Sequence, residues 1–184
     1  QTKPVTVYEI FATDSIEDGK LLEAQCSDVR VITTGKPETC GTDSVAAAAE
    51  IIDPEGKHEF VINYQGDQPY LDPQLLKHFV LTREFSSKDI VTAHCNLSVV
   101  YAQTEARNKD FYRRDVPCHI GLYGYKRAAL RKFASLAQSK DEKTNSLEQL
   151  RDVEGFTWNF VEFPSMPIEI NTQADLDRAR SCLM

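Results

Sequence analysis

The stretch Phe60-Val61-Ile62-Asn63-Tyr64-Gln65-Gly66-Asp67-Gln68-Pro69 decides the fold. Its first half is β-branched and aromatic and reads as a strand. Its second half is a polar loop containing a glycine and a proline, followed by Asp72-Pro73, which starts a helix with Leu75, Leu76, Phe79 and Val80 on its apolar face. In open α/β sheets the carboxyl ends of strands are where ligands bind, so the Gln65–Pro69 loop is the best-placed binding loop in the chain.

The same alternation extends in both directions. Upstream, Val5 to Asp14 reads as a strand running into a Thr-Asp-Ser cap, Ser15 to Cys26 as a helix, and Val29 to Thr33 as a short buried strand. Thr42 is placed to cap an alanine-rich helix over Val45 to Ile52. Downstream, Asp89 to Thr104 is strand-like, with Val99-Val100-Tyr101 its surest part. Glu105 to Val116, with Arg113 and Arg114, is a charged excursion from the sheet. Cys118 to Tyr125 reads as a strand entering a helix from Arg127 to about Ala137. A lysine-containing linker, a short helix over Ser146 to Glu154, a strand around Trp158 to Phe163 and a helix from about Gln173 to Cys182 complete the chain. Alternating strands and helices imply a mostly parallel sheet covered by helices, in a single domain over residues 1–184.

Composition narrows the function. The chain has 184 residues, 41% hydrophobic and 27% charged, enough for one substantial core. Its net charge of −7 gives no broad basic surface for nucleic-acid phosphates or anionic lipid, so neither is expected as a partner. Five scattered cysteines without a C-x-x-C pair read as reduced thiols, and no secretory leader or membrane-spanning run is visible, so a cytoplasmic location is expected. Zinc is not expected at His94-Cys95 or Cys118-His119, because adjacent residues on a strand point to opposite faces.

Three stretches carry a family resemblance. Ile62-Asn63-Tyr64-Gln65-Gly66-Asp67-Gln68-Pro69 is similar to V-N-V-Q-G-D-E-P of the cytidylyltransferases that couple CTP to 3-deoxy-manno-octulosonate (Kdo). His119-Ile120-Gly121-Leu122-Tyr123-Gly124-Tyr125 resembles their H-[IL]-G-I-Y-G-Y, and Leu147-Glu148-Gln149-Leu150-Arg151 their L-E-Q-L-R. Weaker echoes at Ala12-Thr13-Asp14, Gly41-Thr42-Asp43 and Ile170 to Arg180 fall in the same order, so the resemblance covers nearly the whole chain. It implies a doubly wound, nucleotide-diphospho-sugar transferase-like α/β fold. It also implies attack of a sugar anomeric hydroxyl on the α-phosphate of CTP, with pyrophosphate leaving.

The resemblance assigns roles residue by residue. Asp67 is the catalytic carboxylate and holds Mg²⁺, a hard ion that prefers carboxylate oxygen. Gln65, His119, Tyr123, Glu148 and Gln149 line a pocket for the hydroxyl-rich sugar acid, and Gly41 and Thr42 face the nucleotide. Each has an ordinary structural alternative. Asp67 could be a turn residue making a local side-chain bond, His119 and Tyr123 satisfied strand residues, and Glu148 and Gln149 a solvated helix face. A homodimer through the excursion is implied by resemblance only.

Some positions depart from the family pattern. A first strand and a basic, glycine-containing phosphate loop have no counterpart, which leads to an expectation of a shorter, rearranged sheet and weak CTP binding. Asn171 stands where the family has its second metal-binding aspartate, Ser44 where it has an arginine, and Gln68 where it has an acidic residue. Asp175 is a nearby carboxylate that could stand in for Asn171.

Overall fold

A computed structural model of the chain describes residues 9–35, 40–82, 87–95, 118–145, 148–151 and 155–181. They divide into two compact units, Gln1–Lys57 and His58–Met184. The predicted strand residues Val99–Tyr101 and the charged excursion lie outside the described residues.

In the first unit β1 (Ile10–Thr13) and β2 (Arg30–Thr33) pair in parallel through α1 (Ile16–Gln25), the β-α-β unit expected from the sequence. The Ser15 side chain accepts from Asp18 N at 3.1 Å and starts α1. Gly19 is required where α1 crosses β2, because a Cβ there would overlap Thr33 Oγ1. The alanine-rich helix α2 spans Gly41–Ile52 and begins earlier than the capping reading placed it. Cys40 occupies the N-cap without a side-chain capping bond, and Thr42 is buried inside the first turn. A threonine that is fully covered packs into the unit, and its hydroxyl is not the cap.

The second unit contains a four-stranded sheet in the order β3-β5-β4-β6, formed by β3 (Phe60–Tyr64), β4 (Ile90–Cys95), β5 (Cys118–Lys126) and β6 (Trp158–Phe163). β5 runs antiparallel to β3 and β4, whereas β4 and β6 are parallel. Three of its four strands therefore point the same way and β5 alone is reversed. This is the expected α/β class, divided among the described residues into two sheets.

One face of this sheet is the core. Phe79, Val91, Ala93, Cys95, Ile120, Leu122, Val161 and Phe163 form a buried cluster, with Phe60, Ile62, Tyr64, Leu75 and Leu76 packed against it. Phe79 comes from α3 (Pro73–Val80), which Asp72 caps by accepting from Gln74 N at 2.8 Å. Val80, expected on the apolar face of α3, is instead exposed. Each fully buried large apolar side chain contributes about 1.5–3 kcal/mol, so this face is what holds the sheet together.

The opposite face is polar, and a register shift preserves it. Thr92 pairs with Tyr123 but Ala93 pairs with Ile120, so β5 carries two extra residues there, Gly121 and Leu122. An even number of inserted residues keeps the alternation in phase. His119, Gly121 and Tyr123 consequently share one face while Ile120 and Leu122 stay in the core.

After α4 (Arg127–Ser135) the structure corrects the sequence reading. The supposed linker contains a helix, α5 (Lys140–Asn145), and the supposed helix contributes only a 3₁₀ turn, Glu148–Arg151, among its described residues. Ser139-Lys140-Asp141-Glu142 is a capping-box sequence, and Glu142 N donates to Ser139 Oγ at 2.9 Å. The last helix, α6 (Gln173–Ser181), begins after Thr172, as expected.

Candidate functional site

The polar face of the β3-β5-β4-β6 sheet gathers a cluster of side chains from β5, β4 and the 3₁₀ turn. His119 lies on β5, its ring 5.0 Å from that of Tyr123, which stacks at 5.8 Å on Tyr125. Thr92 on β4 donates its hydroxyl hydrogen to Leu122 O at 3.0 Å and places the same oxygen 3.1 Å from His119 Nε2. Gln149, on the 3₁₀ turn, brings its carboxamide to the Tyr123 hydroxyl and to within 3.3 Å of His119 Nε2. His119, Tyr123 and Gln149 were each singled out in the sequence, and the fold assembles them into one cluster.

Burial governs the chemistry of this cluster. Desolvation of the imidazolium lowers the His119 pKa to about 4, so the ring is neutral at pH 7. A neutral imidazole has one donor and one acceptor nitrogen, and here a single atom, Nε2, faces both Thr92 and Gln149. One tautomer donates from Nε2 to Thr92 and the other accepts there from the Gln149 amide. Such a group exchanges hydrogen bonds with hydroxyls without introducing charge.

The loop after β3 closes over β5. Gln65 N donates to Gly121 O at 3.0 Å, and Gln68 N to Gln65 O at 3.2 Å, which makes Gln65–Gln68 a β-turn. The Gln65 side chain lies on Gly121 so closely that any Cβ there would overlap Gln65 Oε1. Gln68 is only 3% exposed, and its Oε1 accepts from Gly121 N at 3.1 Å. Sequence reasoning treated Gln68 only as a departure from an acidic family residue. Its neutral amide ties the loop to the strand, which a single motif position could not reveal.

The turn carries Asp67. Its carbonyl accepts from Ile170 N at 2.7 Å, which brings the segment before α6 against the loop. Asp67 Oδ1 is buried and has no hydrogen-bond partner among the described residues, so the local turn bond considered as an alternative is not made by this atom. An unpartnered carboxylate oxygen is suited to a hard cation, whose remaining ligands phosphate and water can supply. Among the described residues no group of three or more His, Cys, Asp or Glu side chains is placed to hold a metal.

The other selected residues are more dispersed. Glu148 adjoins Gln149 on the 3₁₀ turn and is half-buried. Asn171 is exposed, next to Ile170, and its N donates to Asp175 Oδ2 at 3.2 Å. Asp175 is committed to capping α6, its Oδ2 accepting also from Thr172 N at 2.9 Å and Thr172 Oγ1 at 2.8 Å. Gly41 and Thr42 occupy the first turn of α2, in the Gln1–Lys57 unit. Asn63 was missed as a candidate. It pairs with Tyr123 across β3 and β5, is buried, and its Nδ2 has no partner among the described residues.

Comparison with known proteins agrees with this architecture. The family model for cytidylyltransferases matches residues 6–110, and the chain belongs to the cytidylyltransferase family. The 3-deoxy-manno-octulosonate cytidylyltransferase of Methylorubrum extorquens is 32% identical, over 95% of this chain and 79% of the relative. That of Brucella ovis is 35% identical, over 94% and 77%. Within the larger family, the chain thus falls among the 3-deoxy-manno-octulosonate cytidylyltransferases. The fold is also similar to that of a CMP:2-keto-3-deoxy-manno-octonic acid synthetase solved with CTP, with a TM-score of 0.76, 21% identity and coverage of 96% of this chain and 80% of that one. No helix among the described residues is long and apolar enough to cross a membrane.

Proposed function

We propose that the polar face of the second unit binds a 2-keto-3-deoxy sugar acid and that the chain's reaction is transfer of a cytidylyl group to it from CTP. The observation that carries this reading is the convergence of Thr92, His119, Tyr123 and Gln149 on one partly buried, uncharged hydrogen-bonding cluster beside the Gln65–Gln68 turn. Uncharged donors and acceptors suit a ligand rich in hydroxyls, and the cluster stands next to the loop that carries a carboxylate.

In the transfer, the anomeric hydroxyl oxygen forms a bond to the α-phosphorus, and the bond from that phosphorus to the bridging oxygen of pyrophosphate breaks. The hydroxyl proton passes to solvent or a nearby base. His119, Tyr123, Gln149 and Gln65 orient the sugar so that its hydroxyl meets the phosphate in line. Asp67, assisted by the neutral oxygen of Asn171, would hold Mg²⁺, which when bound neutralises charge on the phosphate oxygens. Gly41 and Thr42 are assigned to the nucleotide.

A second reading, a homologue that binds the sugar acid without turnover, is favoured by a specific observation. Asp175, the carboxylate that accepts from Asn171 N, has its Oδ2 occupied by the capping of α6. With Asp175 so engaged, the metal side relies on Asp67, and CTP is held weakly.

Pyrophosphate release from CTP, Mg²⁺ and Kdo by the purified chain tests the two. Release that drops at least about 100-fold in Asp67→Ala supports transfer. Kdo binding by calorimetry without pyrophosphate release selects the second reading, and absence of both binding and release rejects the sugar-acid site altogether. Light scattering of the same sample tests the homodimer implied by resemblance.

A further inference from the structure

The 3₁₀ turn Glu148–Arg151 presents Gln149 to His119 and Tyr123, and it does so from an unusual anchor. Arg151 is buried, and its guanidinium makes a bidentate pair with Glu142 of α5, Nε to Oε2 at 3.0 Å and one terminal nitrogen to Oε1 at 2.7 Å. The two side chains are 1% and 3% exposed. The guanidinium carbon also lies 4.6 Å over the ring of Phe133 on α4. A second tie comes from Ser139, whose hydroxyl donates to Leu150 O at 2.7 Å while accepting from Glu142 N. Gln138 Nε2 donates to Glu142 Oε1 at 3.1 Å and completes the carboxylate's shell.

Residues 150 and 151, directly after Gln149, are therefore fixed by bonds that fan out to α4, to α5 and to the segment before α5. Burying an ion pair is a costly way to stabilise a protein, because apolar residues of similar volume often do as well or better. What the pair adds is direction. A planar guanidinium forked onto one carboxylate and laid on one ring has a single orientation, which a greasy contact between the same elements would not impose.

We propose that Glu142 and Arg151 are positioning residues that fix the turn so that the Gln149 carboxamide reaches His119 and Tyr123. Both act on the polar cluster through the two-residue step from Arg151 back to Gln149. The sugar-binding consequence rests on the function proposed above, whereas the effect on His119 does not.

The test uses the full chain with three variants: Arg151→Lys, Glu142→Gln and the paired apolar replacement Glu142→Leu/Arg151→Met, chosen because the double change removes both charges together and leaves no unpaired charge in the interior. The imidazole resonance of His119, assigned with His119→Gln, is followed by NMR against pH, and Kdo binding is measured by calorimetry. With the turn released, His119 regains water, and its titration is expected to climb from about 4 toward the ordinary 6.5 in all three variants. Kdo affinity falls about tenfold or more, including in Arg151→Lys, which keeps the charge but loses the fork. A folded double variant in which His119 still titrates near 4 overturns the proposal. If His119 shifts as expected but Kdo does not bind even the unmodified chain, the clamp stands and the sugar-acid reading falls.

Discussion

Two arginine–carboxylate pairs of the second unit make the same chemical bond in opposite surroundings. Arg151 and Glu142 meet at 2.7 Å with side chains 1% and 3% exposed, and Arg178 and Asp175 meet at 2.9 Å with side chains 65% and 20% exposed. Each carboxylate also serves a helix start, Glu142 at α5 and Asp175 at α6. Burial would push the Glu142 carboxyl up, but hydrogen bonds from Arg151 and Gln138, the Arg151 charge and the Ser139 backbone amide outweigh it and hold the group below its ordinary range. Asp175 is held low chiefly by the Thr172 hydroxyl, then by the Asn171 and Thr172 amides and Arg178. The difference shows where the chain concentrates its order. The turn presenting Gln149 is held from the interior, and the segment presenting Asn171 is held at the surface.

The largest effect expected follows from the buried member. Arg151→Ala leaves the Glu142 carboxylate in the interior without its cation, and breaking such a pair costs about 3–5 kcal/mol. Urea unfolding of the variant measures it. The corresponding pH profile has a fixed sign. Because the folded Glu142 pKa lies below its ordinary 4.5, the pair's stabilisation is complete above that value and is lost as pH falls through the folded pKa. A variant as stable as the parent would show that water reaches this pair and that the contrast between the two regions is not one of burial.

Much of this contrast was legible in part. Phe60–Tyr64 and Trp158–Phe163 were read from β-branched and aromatic runs with their observed bounds, because a half-buried strand writes its alternation directly into the chain. The period of two likewise put His119 and Tyr123 on one face of β5. The helix at Lys140–Asn145 was missed because its apolar signal is absent: the sequence KDEKTN has no hydrophobic stripe, and it is held by the Ser139 cap and the Glu142–Arg151 pair. The S-x-x-E pattern was the available signal. Nothing local tells that Glu142 and Arg151, nine residues apart, meet, or that the Gln68 amide binds Gly121 N across 53 positions. Those are tertiary pairings between a charged or amide side chain and one of many equivalent partners. Asn63 illustrates the same limit, since a polar residue in a strand reveals its face but not the atoms above it.

An intermediate effect isolates burial in a single group. His119 is neutral in the folded chain down to about pH 4 because the imidazolium is desolvated, whereas in the unfolded chain it takes a proton near 6.5. Below 6.5 the unfolded state binds the extra proton, so stability is full above that pH and declines as pH falls toward 4. The contribution is about 3 kcal/mol. Thermal unfolding between pH 7 and 4 is expected to show this decline, and His119→Gln to flatten it by the same amount. An unchanged slope in the variant would assign the decline to carboxylates such as Glu142, which act lower in pH.

The smallest effects belong to the exposed pair, and they separate capping from metal binding. Arg178→Ala is expected to leave the thermal midpoint within about 2 °C of the parent, because water replaces the guanidinium at a surface carboxylate. Asp175→Ala removes the cap as well and lowers the midpoint by about 2–4 °C. Neither should change the Mg²⁺ concentration at which pyrophosphate release, or Mg²⁺ binding measured by calorimetry, is half-maximal. Oδ2 of Asp175 is taken by the Asn171 and Thr172 amides and the Thr172 hydroxyl, and Oδ1 by Arg178. A cation drawing on this carboxylate would first have to dismantle the start of α6. If Asp175→Ala instead weakens Mg²⁺ severalfold while Arg178→Ala strengthens it, the capping carboxylate is released when the ion binds. Asp175 then supplies the acidic second ligand that the neutral Asn171 does not, and the surface region is as functionally committed as the buried one.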